Sequence, residues 1–274
     1  MIVFPLAKIN IGLHVLNRRA DGYHDIESAF YPVPLCDILE VTRLKRGMET
    51  IFTESGLISG CTADENLVMK AYRLLKKSHR LLPVKIHLHK NIPSGAGLGG
   101  GSSDAGYMLT ALNELFGLKL PDKELKKYAL ELGSDCPFFI HPKPSVATGR
   151  GELLTSAKVD INGFFIMIVK PPVHISTKEA YGLIRSDTKR PAIAELIQKP
   201  IDKWEGCIHN DFFNPIAIKH PVIADIRENM YRAGAVYSSM TGSGSAVYGL
   251  FKQEEQMKNI NYPDFFQFRG LINN

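Results

Sequence analysis

Residues 91–106 read Asn-Ile-Pro-Ser-Gly-Ala-Gly-Leu-Gly-Gly-Gly-Ser-Ser-Asp-Ala-Gly, and five of the 23 glycines of the 274-residue chain lie between Gly95 and Gly101. Glycine has no Cβ, so this backbone can adopt positive φ angles and bring its amides close to a bulky anion. Residues 84–90 alternate between apolar and polar as a half-buried strand does, and residues 102–116 carry apolar side chains at helical spacing. The order strand, glycine loop, helix predicts a phosphate-binding loop at a helix N-terminus.

Two serines follow the glycines at the start of the predicted helix. Ser102 or Ser103 can cap that helix, or one of the hydroxyls can reach a phosphate or its metal ion. The sequence leaves both roles open.

Other glycine-loop patterns fit this stretch poorly. The Walker A motif needs a lysine directly after its last glycine, but no lysine occurs between Lys90 and Lys119. The dinucleotide fingerprint G-x-G-x-x-G is matched, yet its acidic residue would be Glu114, which falls near the end of the helix and not at the end of a second strand. The His-Arg-Asp and Asp-Phe-Gly motifs of protein kinases are absent. A flexible linker would not carry Pro93, Leu98 and a well-patterned helix.

The pattern that fits is Pro-x-Gly-x-Gly-Leu-Gly-Gly/Ser-x-Ser-x, found here at residues 93–103. In this stretch the chain resembles the GHMP small-molecule kinases, named for galactose, homoserine, mevalonate and phosphomevalonate as substrates. The resemblance implies ATP as co-substrate, with Mg²⁺ expected and the metal ligands unknown. The implied ATP-binding residues are Pro93, Ser94, Gly95, Ala96, Gly97, Leu98, Gly99, Gly100, Gly101, Ser102 and Ser103.

Composition is that of an ordinary globular protein. A hydrophobic content of 45% supports a sizeable core in one large domain or two moderate ones. The four cysteines show no Cys-x-x-Cys pair, so the sequence predicts neither a zinc site nor a disulfide framework, and a reducing cytoplasm suits them.

Membranes and nucleic acids are not the expected partners. The start of the chain does not read as a signal peptide, and the longest apolar run, residues 164–169, is far shorter than the roughly 20 residues of a membrane span. The net charge of +5 comes from dispersed lysines and arginines with acids among them, which suits small polyanions as well as nucleic acid. We expect a small-molecule substrate, no nucleic acid, and a monomer or weak homodimer.

The first strand carries a lysine and an amide on one face. Lys8 and Asn10 are two residues apart in a stretch with strand alternation, so together they could hold a phosphate and a substrate hydroxyl. Residues 7–11 and 19–25 resemble the first signature of the GHMP branch whose acceptor is a cytidine diphosphate-linked methylerythritol. The resemblance makes Lys8 catalytic and assigns Asn10, Tyr23 and His24 to substrate binding. An aromatic ring that stacks on a base and a histidine that reads its edge agree with that assignment.

An aspartate follows the helix predicted over residues 122–132. Asp135 comes just after Gly133 and ahead of a Pro-Phe-Phe run, where it is either a turn residue or a positioned carboxylate. The family motif Gly-Ala/Ser-Asp-x-Pro-x-Phe matches residues 133–139, and the resemblance therefore makes Asp135 the catalytic aspartate. Asn66, at the head of another predicted helix, is either a helix cap or a residue near the adenine.

The second half of the chain carries weaker signals. A helix is predicted from about residue 177 with Ser176 or Thr177 as cap, and the resemblance places Thr177 and Tyr181 in the substrate pocket, with Tyr181 facing Tyr23 across the cytosine. Residues 240–247 resemble the third GHMP signature, which packs against the nucleotide loop. Residues 186–220 and the tail beyond 253 give no clear indication of their role.

Together the three signatures imply an α+β protein with the GHMP kinase fold. An N-terminal domain like the second domain of ribosomal protein S5 is expected over residues 1–150, and a ferredoxin-like C-terminal domain over residues 151–274, with the active site in the cleft between them. The implied reaction transfers the γ-phosphoryl of ATP to the 2-hydroxyl of the cytidyl substrate, in the non-mevalonate route to isoprenoid precursors. Asp135 would accept the hydroxyl proton and Lys8 would lower the pKa of that aspartate. The alternatives are a kinase that acts on another GHMP substrate and a nucleotide-binding regulator without catalysis.

Overall fold

The computed structural model describes residues 1–184 and 190–273. Within them the elements are β1 (Ile2–Val3), β2 (Leu6–Arg18), β3 (His24–Cys36), β4 (Ile38–Arg43), β5 (Ile51–Gly56), α1 (Leu67–Ser78), β6 (Val84–Lys90), α2 (Gly100–Phe116), α3 (Asp122–Leu132), β7 (Ser145–Thr148), β8 (Leu153–Ser156), β9 (Phe165–Lys170), α4 (Thr177–Gly182), α5 (Ile193–Leu196), α6 (Phe213–Lys219), α7 (Pro221–Arg232), β10 (Tyr237–Met240), β11 (Val247–Phe251) and β12 (Phe266–Leu271). Short 3-10 turns lie at Cys136–Ile140, Ile201–Lys203 and Glu254–Met257. This mixture of helices and strands confirms the α+β class.

The chain divides into two compact units. Unit 1 comprises residues 1–7, 35–94 and 99–142, and unit 2 comprises residues 8–34, 95–98 and 143–274. The predicted domain boundary between residues 150 and 151 stays a prediction. Residues 186–189 of the segment 186–220, whose role the sequence does not indicate, lie outside the described residues, as does residue 274.

Unit 1 is a four-stranded sheet with helices packed on it. Its strand order is β1-β4-β6-β5, with β5 and β6 parallel and the other pairs antiparallel. The alternation predicted for β6 is confirmed, because Val84, Ile86 and Leu88 are buried in one core with apolar residues of α1, α2 and α3. This shared core thereby fixes β6 and α2, the two elements that flank the glycine loop.

Helix ends in unit 1 follow the local chemistry. Asn66 caps α1 and accepts a hydrogen bond from the amide of Val68 at 2.9 Å, so its predicted capping role is confirmed. Pro121 precedes α3 and Gly133 follows it, as predicted. Two helices are thus delimited by residues visible in the sequence.

Unit 2 contains two further four-stranded sheets. One has the order β2-β3-β7-β8, and the other is antiparallel with the order β10-β11-β9-β12. The second sheet packs with α6 and α7 around a core that includes Met167, Ile226 and Val247. Trp204 is 2% exposed and packs edge-on against Tyr237, with ring centroids 5.4 Å apart. Strands β3 and β12 were not predicted.

In the described part of the chain, no helix combines the length and the apolar character that crossing a bilayer requires.

Candidate active site

Every second residue of the glycine loop before α2 has a positive φ angle. Gly95, Gly97 and Gly99 have φ angles of 62°, 75° and 72°, which L side chains rarely adopt. Gly99 is the N-cap residue of α2 and Gly100 is its first helical residue. The first amides of a helix have no intrahelical acceptor, so this end of α2 offers donors to an anion.

The predicted capping role of the serines is wrong. The N-cap of α2 is Gly99, without a side-chain cap, so Ser102 and Ser103 lie inside the first turn of the helix. The hydroxyl of Ser103 donates to the carbonyl oxygen of Leu6 at 2.7 Å. Glycine can replace a polar cap here because the left-handed Gly99 turns the chain directly into the helix.

Thr241 lies against the glycine loop, as the resemblance to the third signature implies. A Cβ on Gly97 would come within 2.0 Å of the carbonyl oxygen of Thr241, so only glycine fits this close approach. The hydroxyl of Thr241 is 3.0 Å from the carbonyl oxygen of Gly97 and accepts a hydrogen bond from the amide of Asn10 at 3.0 Å. Both contacts lie within unit 2.

Lys8 and Asn10 share a face of β2, as predicted. Lys8 is 4% exposed, and its ammonium donates to Asn10 Oδ1 at 2.5 Å and lies 4.5 Å from the ring centroid of Phe30. Asn10 Nδ2 donates to Ser28 Oγ at 2.7 Å, and Ser28 donates to the carbonyl oxygen of Gly12 at 2.6 Å. The amide of Lys8 also bonds to the carbonyl oxygen of Leu98 in the glycine loop at 3.0 Å. The lysine is therefore held in a defined place beside residues 95–98.

Three of the residues assigned to the substrate are aromatic side chains of unit 2. The rings of His24 and Tyr181 are stacked, with centroids 4.7 Å apart and an interplanar angle of 15°. Tyr23 is 58% exposed, and the guanidinium carbon of Arg150 lies 5.0 Å from its ring centroid. The predicted placement of Tyr181 opposite Tyr23 across a cytosine stays a prediction.

The remaining predicted residues occupy less enclosed positions. Thr177 is the first residue of α4 and is exposed, and the cap of that helix is Ser176, which accepts from the amide of Glu179 at 3.1 Å. Asp135 is half-buried at the start of the 3-10 turn that follows α3. Ser94 is exposed at the entrance to the glycine loop.

Asn66 has a second partner besides its helix. Its Nδ2 donates to Glu54 Oε2 at 3.3 Å, while Glu54 Oε1 accepts from the amide of Ser59 at 2.9 Å. Its capping role is confirmed, and its predicted place near the adenine stays a prediction.

Several residues in contact with the site were missed from the sequence. Ser28 accepts a hydrogen bond from Asn10 Nδ2 at 2.7 Å, and Asn210 donates to the carbonyl oxygens of Met240 and Gly242 at 2.8 Å each. Such residues carry no signal on their own, because they are polar side chains whose partners lie far away in sequence.

A buried ionic cluster also escaped the sequence analysis. The Lys90 ammonium donates to Asp104 Oδ2 at 2.7 Å and to Asp37 Oδ2. Burial raises the pKa of Asp104 to about 8, and Asp37 adds to this while Lys90 opposes it. Burial alone would lower the pKa of Lys90, but the two carboxylates outweigh it and the pKa is raised. The cluster lies in unit 1, beside the start of α2.

Magnesium ligands do not stand out as a preformed site. Among residues 1–184 and 190–273, no group of three or more histidine, cysteine and acidic side chains could hold a metal ion. Mg²⁺ in phosphoryl-transfer sites is held by one or two carboxylates together with substrate phosphates.

Models of two family domains match the chain. The GHMP kinases N terminal domain matches residues 66–143, and the GHMP kinases C terminal domain matches residues 192–261. The first range contains α1, α2, α3 and the glycine loop.

Curated relatives match almost the whole chain. A protein of Azobacteroides pseudotrichonymphae named 4-diphosphocytidyl-2-C-methyl-D-erythritol kinase is 51% identical over 254 residues, which cover 92% of this chain and 94% of the relative. A protein of Bacteroides fragilis with the same name is 44% identical, with 98% of both chains covered.

Solved structures agree in fold. A crystal structure of 4-(cytidine 5'-diphospho)-2C-methyl-D-erythritol kinase is similar with a TM-score of 0.78 and 31% identity, over 94% of this chain and 92% of the other. A mevalonate kinase, with a TM-score of 0.69, 18% identity and 98% of each chain covered, shows the same fold. The chain belongs to the GHMP kinase family and, within it, to the 4-diphosphocytidyl-2-C-methyl-D-erythritol kinases.

Proposed function

We propose that the chain transfers the γ-phosphoryl group of ATP to the 2-hydroxyl of 4-diphosphocytidyl-2-C-methyl-D-erythritol, in the non-mevalonate route to isoprenoid precursors. The observation that carries the proposal is the hydrogen-bonded chain within unit 2 from Lys8 through Asn10 and Thr241 to Gly97. It ties the lysine of the first signature to the glycine loop.

The roles of the residues follow from what phosphoryl transfer requires. The reaction needs alignment of the phosphates and compensation of their charge more than covalent chemistry. Residues 94–103, which follow Pro93 at the start of the loop, supply backbone amides to the phosphates, and Lys8 supplies a fixed ammonium for the transferring group. Asp135 accepts the proton of the acceptor hydroxyl, which leaves the oxygen free to attack phosphorus. Mg²⁺, when bound with ATP, neutralises part of the phosphate charge.

Acceptor recognition is assigned to an aromatic group and its neighbours. Tyr23 and Tyr181 offer ring faces to the cytosine, and His24 offers a ring nitrogen to its edge. Asn10 and Thr177 contact the rest of the acceptor, and Asn66 lies near the adenine of ATP. We further propose that the protein acts in the cytoplasm on small molecules, without nucleic acid, as a monomer or weak homodimer.

The test is product formation from ATP and a panel of acceptors. We expect phosphorylation of the cytidyl substrate and none of galactose, homoserine or mevalonate, because those molecules offer no base to Tyr23 and His24. Product is identified by phosphorus NMR. If the protein phosphorylates mevalonate or galactose but not the cytidyl substrate, the chain has another GHMP activity. If it binds ATP and phosphorylates none of the acceptors, it is a regulator.

Asp135→Asn tests the proton acceptor. The amide cannot take a proton, so we expect kcat to fall by about 10²–10⁴-fold while the KM for ATP stays nearly unchanged. Steady-state kinetics at saturating acceptor measure both constants. A variant that turns over at the wild-type rate would remove Asp135 from the mechanism.

A further inference from the structure

Three buried ionisable side chains meet beside the first turn of α2. Asp37, Lys90 and Asp104 are 0%, 3% and 2% exposed, and Lys90 bonds both carboxylates. Asp37 Oδ1 also accepts from the amides of Asn91 and Ile92, at 2.6 Å and 2.8 Å. Burying charged groups is costly, and apolar residues of similar size are often at least as stable, so stability alone does not account for the cluster.

The cluster joins the two elements on either side of the glycine loop. Lys90 is the last residue of β6, the amides of Asn91 and Ile92 begin the loop, and Asp104 lies in the second turn of α2. Asp37, just before β4, is fixed in turn by its amide, which bonds to the carbonyl oxygen of Pro5 at 3.0 Å. The side chains therefore hold the end of the strand and the start of the helix in one arrangement.

The cluster is also close to the amides that would bind phosphate. A Cβ added to Gly100, the first residue of α2, would lie 3.4 Å from Lys90 Nζ and 2.8 Å from Ile92 Cγ2. The ammonium therefore lies beside the backbone of the first residue of α2.

We propose that Asp37, Lys90 and Asp104 are positioning residues that hold the N-terminal end of α2 in the geometry that binds the phosphates of ATP. The inference rests on the proposed function only in taking ATP as the ligand of the glycine loop. Since all three side chains are buried, they act through the backbone of residues 91–100 and do not touch the nucleotide. Among the described residues Asp104 Oδ1 has no hydrogen-bond partner, and an apolar core would contain no such unpaired acceptor.

The experiment compares nucleotide affinity with acceptor affinity in two variants. In Lys90→Met the two carboxylates lose their shared donor, and we expect the KM for ATP to rise about tenfold or more while the KM for the acceptor changes less than about twofold. Asp104→Asn keeps an oxygen for Lys90 and the shape of the side chain, so we expect a smaller rise, of about threefold. The dissociation constant of ADP, measured by calorimetry without acceptor, should rise in parallel.

A matched variant at the other end of α2 separates positioning from general stability. Asn113 fixes that end by donating to the carbonyl oxygen of Leu120 at 3.1 Å and accepting from its amide at 2.9 Å. Asn113→Ala should lower the thermal midpoint and leave ADP affinity within about twofold of wild type. If Lys90→Met and Asp104→Asn lower the midpoint in the same way with ADP affinity unchanged, the cluster is structural only and the inference is overturned. If Lys90→Met does not fold, Asp104→Asn and Asp37→Asn decide the question by the same ADP measurement.

Binding of ADP does not depend on which acceptor the enzyme uses. A wild-type protein that binds ADP but leaves the cytidyl substrate unphosphorylated would contradict the proposed function and not this inference.

Discussion

Gly97 shows how a single residue can connect two motifs far apart in the chain. Its φ is 75°, and its α-carbon lies where any side chain would strike the carbonyl oxygen of Thr241. The sequence indicates that glycines are needed in this loop, but it does not show which of them is required for space and which for backbone freedom. The position of Thr241 shows that Gly97 is required for space as well as for backbone freedom.

Gly97→Ala should therefore cost more than an alanine at another left-handed glycine. We expect it to raise the KM for ATP sharply and to destabilise the protein. The added side chain would force Thr241 away from the loop, and its backbone would also be held at an unfavourable φ angle. Gly163, with a φ of 79° and nothing within 4 Å of an added Cβ, is the matched control. Gly163→Ala should cost only about 1 kcal/mol of unfolding free energy and leave activity unchanged. Equal effects of the two substitutions on ATP KM would contradict this explanation.

Asp104 should give the protein a distinctive dependence of stability on pH. Its pKa in the folded state is raised to about 8 from the ordinary 3.8, so between these values the folded state holds a proton that the unfolded state has lost. The protonated carboxyl of Asp104 therefore contributes its whole stabilising free energy below the ordinary pKa, and this contribution is lost as pH rises through about 8. Asp104→Asn does not titrate. We expect the wild type to lose about 1 kcal/mol or more relative to this variant between about pH 5 and about pH 9, measured by urea unfolding with circular dichroism. A constant difference across that range would show that Asp104 is ionised throughout.

At the scale of elements, the sequence predicts best where local chemistry decides. The strand β6 and the helix α3 lie at their predicted bounds, and α1 begins after Asn66 as predicted, because caps, proline and periodicity mark them. Strand β3 was missed since residues 26–33 are all buried and show no alternation. Strand β12 depends on its pairing with β9, which no local pattern records. The start of α2 was placed two residues late because serine is a far commoner cap than a left-handed glycine.

Asn66 lets the capping of α1 be separated from nucleotide binding. Asn66→Asp keeps the oxygen that caps the helix but loses the donor to Glu54, whereas Asn66→Ala loses both. We expect Asn66→Ala to cost about 1 kcal/mol of unfolding free energy. Asn66→Asp should cost at least as much, because its carboxylate faces that of Glu54 in place of the lost hydrogen bond. If Asn66 also binds adenine through its amide, both variants raise the KM for ATP. Retention of the wild-type KM in Asn66→Asp would limit the residue to its structural role.

At the scale of the whole molecule, the family and its fold could be predicted because three short signatures are nearly independent of their surroundings. The residues that support the site could not. Ser28, Asn210 and the cluster of Asp37, Lys90 and Asp104 become meaningful only when segments distant in sequence are brought together. These side chains act through hydrogen-bond and ion-pair partners, and a single sequence does not show which residues those partners are.

Trp204 gives the protein a built-in optical reporter. It is the chain's one tryptophan, and it is enclosed in unit 2 with its indole nitrogen donating to the carbonyl oxygen of Lys199 at 2.9 Å. Emission excited in the indole band therefore records the melting of unit 2, while far-ultraviolet ellipticity also sums over the helices of unit 1. Coincident curves from the two signals would mean that both units unfold in one cooperative step, and separated curves would give each unit its own melting temperature.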